Sequence, residues 1–223
     1  RQGNPGLKPE YIDAMEVAYL KELGEHALSL EMYYRLTNNK VERIESVYSE
    51  NVMLSRPDNV GRDYALGAEA VLNLNLLKWW KADLSGNFYQ YRLDGALGEQ
   101  TFDRQSFNWN TRLSNTFRFE TGTRVQLNGR YNSATVTAQG TRGDYWTADI
   151  ALSQEFFERT LTAIVQVRDM FGRVVRDRES SGVDFMYYGE SYDRAPQVAL
   201  TLNYRFNNYK NKRNASLEGG DDF

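Results

Sequence analysis

The side chains able to do chemistry in this chain are few and scattered. Cysteine is absent and there is a single histidine, His26. That removes thiolate nucleophiles, disulfides and thiolate metal sites, and with them most catalytic triads and imidazole metal sites. His26 follows the turn sequence ELGE at residues 22–25 and has no ligand or base partner in view, so it reads as a solvated turn residue. Asp13, Glu31, Glu69 and Asp83 offer carboxylates, but a glycosidase pair needs two of them about 5–9 Å apart and no spacing brings any two together. Arg142-Gly143-Asp144 spells an adhesion tripeptide, although its glycine suits an ordinary hairpin turn. With no nucleophile, base and orienting group in one place, the chain reads as non-enzymatic, without cofactor or metal.

Two further groupings suit contact rather than reaction. Trp79 and Trp80 sit between Lys78 and Lys81, the composition of an interfacial anchor with rings at headgroup depth and amines toward phosphate. A packed hydrophobic turn would use the same pair. Residues 168–194 gather Arg168, Asp169, Arg173, Arg176, Asp177, Arg178, Glu179 and Asp184 with Phe185, Met186, Tyr187, Tyr188 and Tyr192. Loops of this kind carry ligand and partner contacts, while solvated charge alone explains the same composition.

These residues depend on the elements that hold them, and the clearest element is 195–206, APQVALTLNYRF. Val198, Leu200, Leu202, Tyr204 and Phe206 alternate with Gln197, Ala199, Thr201, Asn203 and Arg205. That period defines a strand with one apolar and one polar face. Its aromatic end suits a strand leaving hydrocarbon for headgroups; of Phe206 and Phe223, the two candidate aromatic ends of a terminal-strand assembly signal, Phe206 is favoured because it completes the stripe. Similar stripes occur at 10–21, 27–36, 64–72, 82–91, 107–119, 125–131, 146–152 and 161–167, giving about nine strands. Short connections near residues 22, 76, 120 and 155 alternate with long ones: 37–62, read as extended strand ends plus a loop, the polar loop 92–104, 139–143, and 168–195, a long loop or strand-extension region. Outer-membrane barrels alternate short periplasmic turns with long external loops in this way, and a soluble sandwich has no reason to. All four prolines are expected in loops or at strand starts.

Composition agrees. The 27 basic and 30 acidic residues leave a net charge of −3, so no global field recruits nucleic acid. Mean hydropathy is −0.66, and no apolar run is long enough for a membrane helix. Alternation dilutes hydropathy, so a membrane barrel stays open, and 13% aromatic residues suit its girdles. The opening RQGNPG has neither Met nor a signal-like apolar region, as expected of a processed or excised chain. Nine is odd, whereas single-chain bacterial barrels have even strand numbers. The polar faces also carry Glu31, Arg35, Glu69, Asp83, Arg112, Arg118, Gln126 and Arg130, which a wide lumen accommodates more easily than a small packed one. Both facts point to a piece of a larger barrel.

The segment GNPGLKPEYIDAMEVAY at 3–19 resembles a motif of TonB-dependent outer-membrane receptors, matching at Gly3, Asn4, Pro5, Leu7, Pro9, Glu10 and Glu16. GRDYALGAEAVLNLNLLKWW at 61–80, VRDMF at 167–171 and TLNYRFNNYKNKR at 201–213 resemble the Bacteroidota outer-membrane β-barrel family. The resemblance implies an all-β, antiparallel transmembrane barrel of roughly 22 strands plugged by an N-terminal domain. Residues 1–206 would form its C-terminal portion and 207–223 a disordered periplasmic tail. It implies ligand uptake energised through TonB, with outer-membrane lipid, the rest of the barrel, the plug and a surface lipoprotein as partners. A non-transporting structural or secretion-associated barrel, and a small autonomous barrel, are the alternatives.

Overall fold

The computed structural model describes residues 2–50, 52–172 and 174–206, and these form antiparallel β structure throughout. The strands are β1 (Tyr11–Leu23), β2 (His26–Ser49), β3 (Val52–Leu77), β4 (Trp80–Leu97), β5 (Gln100–Arg118) and β6 (Thr123–Asn132). There follow β7 (Thr135–Thr137), β8 (Gly140–Arg142), β9 (Tyr145–Phe156), β10 (Leu161–Arg168), β11 (Val175–Ser181), β12 (Met186–Tyr192) and β13 (Gln197–Tyr204). Nine of them make one sheet in the order β1-β2-β3-β4-β5-β6-β9-β10-β13, the count that alternation predicts. The other four make a second sheet, β12-β11-β8-β7.

Residues opposite one another in an antiparallel ladder share a face, so register joins the individual stripes into two continuous surfaces. Leu28, Leu72, Leu84, Leu113, Gly129 and Ala148 form one row. Phe117, Val125, Leu152, Val165 and Leu200 form another on the same side. The opposite face reads Glu31, Glu69, Asn87, Asn110 and Asn132. Most large apolar side chains of the first face stay exposed, Val17 at 74% and Met32 at 65%. A patch of this extent is far beyond what water tolerates on a monomer, and hydrocarbon is the solvent that suits it.

Short turns fall where expected, between β1 and β2, β3 and β4, β5 and β6, and β9 and β10. The extended strand ends expected within 37–62 are present, joined by a tighter turn than the loop expected with them, and the polar loop expected at 92–104 is corrected. Within 37–62, β2 runs on to Ser49 and β3 starts at Val52; within 92–104, β4 reaches Leu97 and β5 starts at Gln100. These are tall strand extensions closed by tight hairpins, and neither of their faces carries the continuous apolar stripe of the lower strands. Residues 139–143 and 168–195 contribute the second sheet instead.

Pro57 is corrected too, since it lies inside β3 opposite Arg43. The ladder from β4 stops at Gly61↔Gly95, so at Pro57 the strand has β2 as its one neighbour in the sheet and the missing N–H costs no ladder bond. Where the ladder stops, Gly61 has φ +141°, and a Cβ on Gly61 or Gly95 would run into the facing backbone of Asp94 or Val60. The closest apolar core lies beside this crossing: Val60, Leu93 and Ala138, flanked by Ile44, Tyr91, Leu97 and Phe102. Ala138 belongs to the segment between β7 and β8, so this core joins the second sheet to the polar face of the first.

Candidate functional site

The second sheet is held over the tall half of β2–β4 by polar contacts as well as by that core. Glu45 on β2 donates its N–H to Gln139 Oε1 and accepts from Gln139 Nε2 at its carbonyl, both at 2.8 Å. One side-chain amide thus completes the ladder that β1, ending its pairing at Asn38, leaves open on β2. Nearby, the Ala138 N–H donates to Glu42 Oε2 at 2.8 Å, and Arg178 pairs with Glu45 at 3.0 Å. Ser181 N–H, from β11, donates to the Gln139 carbonyl at 2.7 Å.

Between the two sheets lies an open cleft of about 400 Å³ whose lining includes Lys40, Arg43, Tyr89, Tyr91, Arg142 and Arg178. At its wall Asp63, only 6% exposed, accepts from Tyr91 Oη at 3.1 Å and pairs with Lys40 at 3.2 Å. Lys40 also reaches Glu10 at 3.7 Å, and Glu10 accepts the Val41 N–H at 2.6 Å beside the bulge where Asn39 takes φ 55°. The GNPGLKPE segment is therefore tied into the same network: Asn4 Nδ2 donates to the Pro57 carbonyl and Lys8 N–H to Asn59 Oδ1. Lower on the polar face, Gly67 sits between the ring of Tyr33 and the Cβ of Tyr89, and an added Cβ would come within 2.6 Å of both.

The residues singled out in the sequence fall in several places. Trp79 lies in the β3–β4 turn and Trp80 opens β4. Their rings, with centroids 6.3 Å apart, join Phe117 and Phe119 in one aromatic cluster, and Trp80 Nε1 donates to Asn115 at 3.0 Å. Val198, Leu200, Leu202 and Tyr204 stand exposed along β13, which pairs among the described residues with β10 alone. Phe206 lies two residues past that strand and meets Tyr204 edge-on at 4.8 Å. Trp79, Trp80, Tyr204 and Phe206 all sit at the short-turn end of the sheet. The notional tail at 207–223 lies outside the described residues.

Glu31 and Glu69 prove to be direct cross-strand partners, a juxtaposition visible once the β2–β3 register is known. Asp83 instead takes Asn73 Nδ2 at 2.8 Å, and Asp13 stands opposite Leu36. Among the described residues no three His, Asp or Glu groups converge as metal ligands. His26 is half-buried, not simply solvated: its Nδ1 accepts the Asn75 N–H at 3.1 Å, next to the register shift that ends β3. Arg142 ends β8, and Gly143 donates its N–H to the Asp177 carbonyl at 3.0 Å. On the outer sheet, Glu190 accepts the hydroxyls of Tyr188, at 2.6 Å, and Tyr192. Those bonds hold the Glu190 carboxyl below its usual range and push the Tyr188 phenol up to about 12.

A sheet that is apolar on one face, charged on the other, turned tightly at one end and tall at the other is the wall of a membrane-spanning antiparallel β-barrel. The chain belongs to the outer membrane protein beta-barrel family, whose sequence profile matches residues 1–204, and its place is the outer membrane. No curated protein sequence matches it. The FrpB iron transporter from Neisseria meningitidis (F3-3 variant) superposes with TM-score 0.55 at 15% identity, over 89% of this chain and 32% of that one. FpvAI, solved in complex with pyocin S2, superposes with TM-score 0.54 at 14% identity, over 88% of this chain and 26% of that one. The chain thus spans about a third or less of these solved barrels, and at such identities the likeness is one of fold.

Proposed function

We propose that this chain is the C-terminal wall of a TonB-dependent outer-membrane receptor that imports a ligand through a plugged barrel. The observation that carries the reading is the open sheet itself: nine strands, with β1 and β13 each paired on one side among the described residues. A transmembrane sheet with free edges leaves backbone groups unpaired in lipid, so the barrel is completed by further strands, about 22 in all. The match to an iron transporter over a third of its length supports transport and leaves the cargo open. The resemblance at 3–19 and 61–80 supports coupling to TonB and a Bacteroidota origin.

In this reading the polar face is the lumenal wall and the tall ends of β2–β5 project outside the cell. The protein is not an enzyme, and residues 207–223 hang in the periplasm. Trp79, Trp80, Tyr204 and Phe206 anchor the periplasmic interface, and the stripe from Val198 to Phe206 serves as the assembly signal. Its partners are lipid, the rest of the barrel with its plug, TonB through the plug side, and a surface lipoprotein over the external end.

The test expresses residues 1–223 alone behind a secretion signal and compares boiled and unboiled gel mobility of outer membranes. Aggregated or degraded material, with a heat-modifiable band from the longer parent chain, is the expected result. A compact heat-modifiable band from the 223-residue chain alone would overturn the large-barrel reading in favour of an autonomous small barrel.

A further inference from the structure

We propose that the cleft between the two sheets binds an anionic solute, one bearing carboxylate or phosphate groups, with Arg43, Arg142 and Arg178 as its cationic wall. The inference rests on reading the polar face as the lumen of a receptor and names the class of ligand that the lumen takes. Its basis is a surplus of donors. The acids of the cleft are already engaged: Glu42 by the Ala138 N–H, and Asp63 by Lys40 and the Tyr91 hydroxyl. Glu45, just behind, is paired with Arg178.

The basic groups are not matched in the same way. Among the described residues neither Arg43 nor Arg142 makes an ion pair. Arg178 spends Nη1 on Glu45, and its Nε–H is buried without an acceptor. A guanidinium presents a planar fork that fits carboxylate and phosphate oxygens two at a time. Tyr89 adds a ring surface, and a volume of about 400 Å³ suits a small solute.

The geometry adds a consequence. Arg43 belongs to β2 of the main sheet, whereas Arg142 and Arg178 belong to β8 and β11 of the second. An anion held by all three bridges the sheets, and by mass action it stabilises their docking.

The test uses the full-length receptor in detergent with citrate and inorganic pyrophosphate as probes, followed by calorimetric titration. Saturable binding of at least one probe is expected, weakening as salt rises. Arg43→Gln and Arg142→Gln should each weaken it about tenfold, the loss of one charge-assisted contact. Arg142→Lys should recover part of that loss, and Arg159→Gln, at the opposite end of the sheet, should change nothing. No saturable binding of either probe, or equal affinity in all variants, would overturn the proposal; a buried water would then be the partner of Arg178. Gel mobility of the same preparations separates the two readings. A heat-modifiable outer-membrane barrel that ignores both anions removes the anion site alone, whereas a preparation without that behaviour removes the receptor reading beneath it.

Discussion

Replacing Ile150 by arginine is the sharpest probe of which face meets lipid. Ile150 sits in β9 between Leu127 of β6 and Val167 of β10, on the apolar side. The aromatic residues Trp146 and Phe156 bracket it on the same strand face. From one to the other the strand rises about 33 Å at 3.3 Å per residue. At a tilt of about 40° that is about 25 Å along the membrane normal, the height of the apolar band of such barrels. Ile150 therefore lies within about 3 Å of the midplane, one residue from the centre of the span. A guanidinium at that depth costs about 2–4 kcal/mol, which is roughly a 30- to 800-fold loss in the folding equilibrium.

The control is Gln166→Arg, one strand over on the polar face between Ala151 and Ala199. There the added charge meets a watery lumen and should cost about 0.5 kcal/mol or less. Both variants of the full-length barrel would be refolded into lipid vesicles across a urea series, with the folded fraction read from gel mobility. Equal costs for the two, or unimpaired folding of I150R, would refute the assignment of faces. A selective failure of Q166R would show that the faces are reversed.

Further outcomes follow from the polar face and the second sheet. Gly67→Ala should cost about 1–3 kcal/mol by forcing Tyr33 and Tyr89 apart, whereas Gly129→Ala, with nothing within 4 Å of its added Cβ, should be tolerated; urea midpoints compare them. Gln139→Ala leaves the Glu45 N–H and carbonyl unpaired, at about 1–3 kcal/mol, so hydrogen exchange in β8 and β11 should quicken about tenfold to a hundredfold while the β9–β10 ladder is unchanged. Protection that stays equal in both regions would remove Gln139 as the pin. The Tyr188 phenol is raised, so its contribution is complete below pH 10 and lost as pH climbs toward about 12. The lowered Glu190 has the opposite sign: its contribution is present above the ordinary carboxylate range and lost on acidification through its depressed pKa. Phenolate absorbance of Y188F against the parent, and exchange in β12 at both extremes, check the pair.

The two faces and the strand count were legible because each membrane-crossing strand meets different solvents on its two sides, and that contrast prints period two into the sequence. Above the membrane the contrast vanishes. Arg92 and Asp103 illustrate it: they pair at 2.8 Å across β4 and β5, yet in the sequence they read as two charged loop residues. Pro57 misled for a related reason, since a proline forbids a central strand but not a stretch with one free side. The cleft was illegible because its parts are remote in the chain, with Glu45 and Gln139 separated by 94 residues. One sign of it was available: the mixed charges and aromatic residues gathered in 168–194, where contacts were expected but their geometry was not.

The height of β2 and β3 has its own logic. A barrel strand needs about 9–11 residues to cross a membrane, yet β2 has 24 and β3 has 26. Outside the bilayer the excess gains nothing from hydrocarbon, and a bare two-stranded hairpin is marginal in water. It becomes stable here because Val60 and Leu93 find Ala138, and because Gln139 and Glu10 occupy backbone positions that no neighbouring strand fills. The same contacts fix Lys40, Asp63 and Tyr91 on one wall and Arg142 and Arg178 on the other. A cleft built from opposed sheets pays less ordering entropy on binding than one built from loose loops. Stabilising the extensions and preparing the site are thus one physical act, so loosening the Gln139 pin should weaken anion binding even though Gln139 carries no charge.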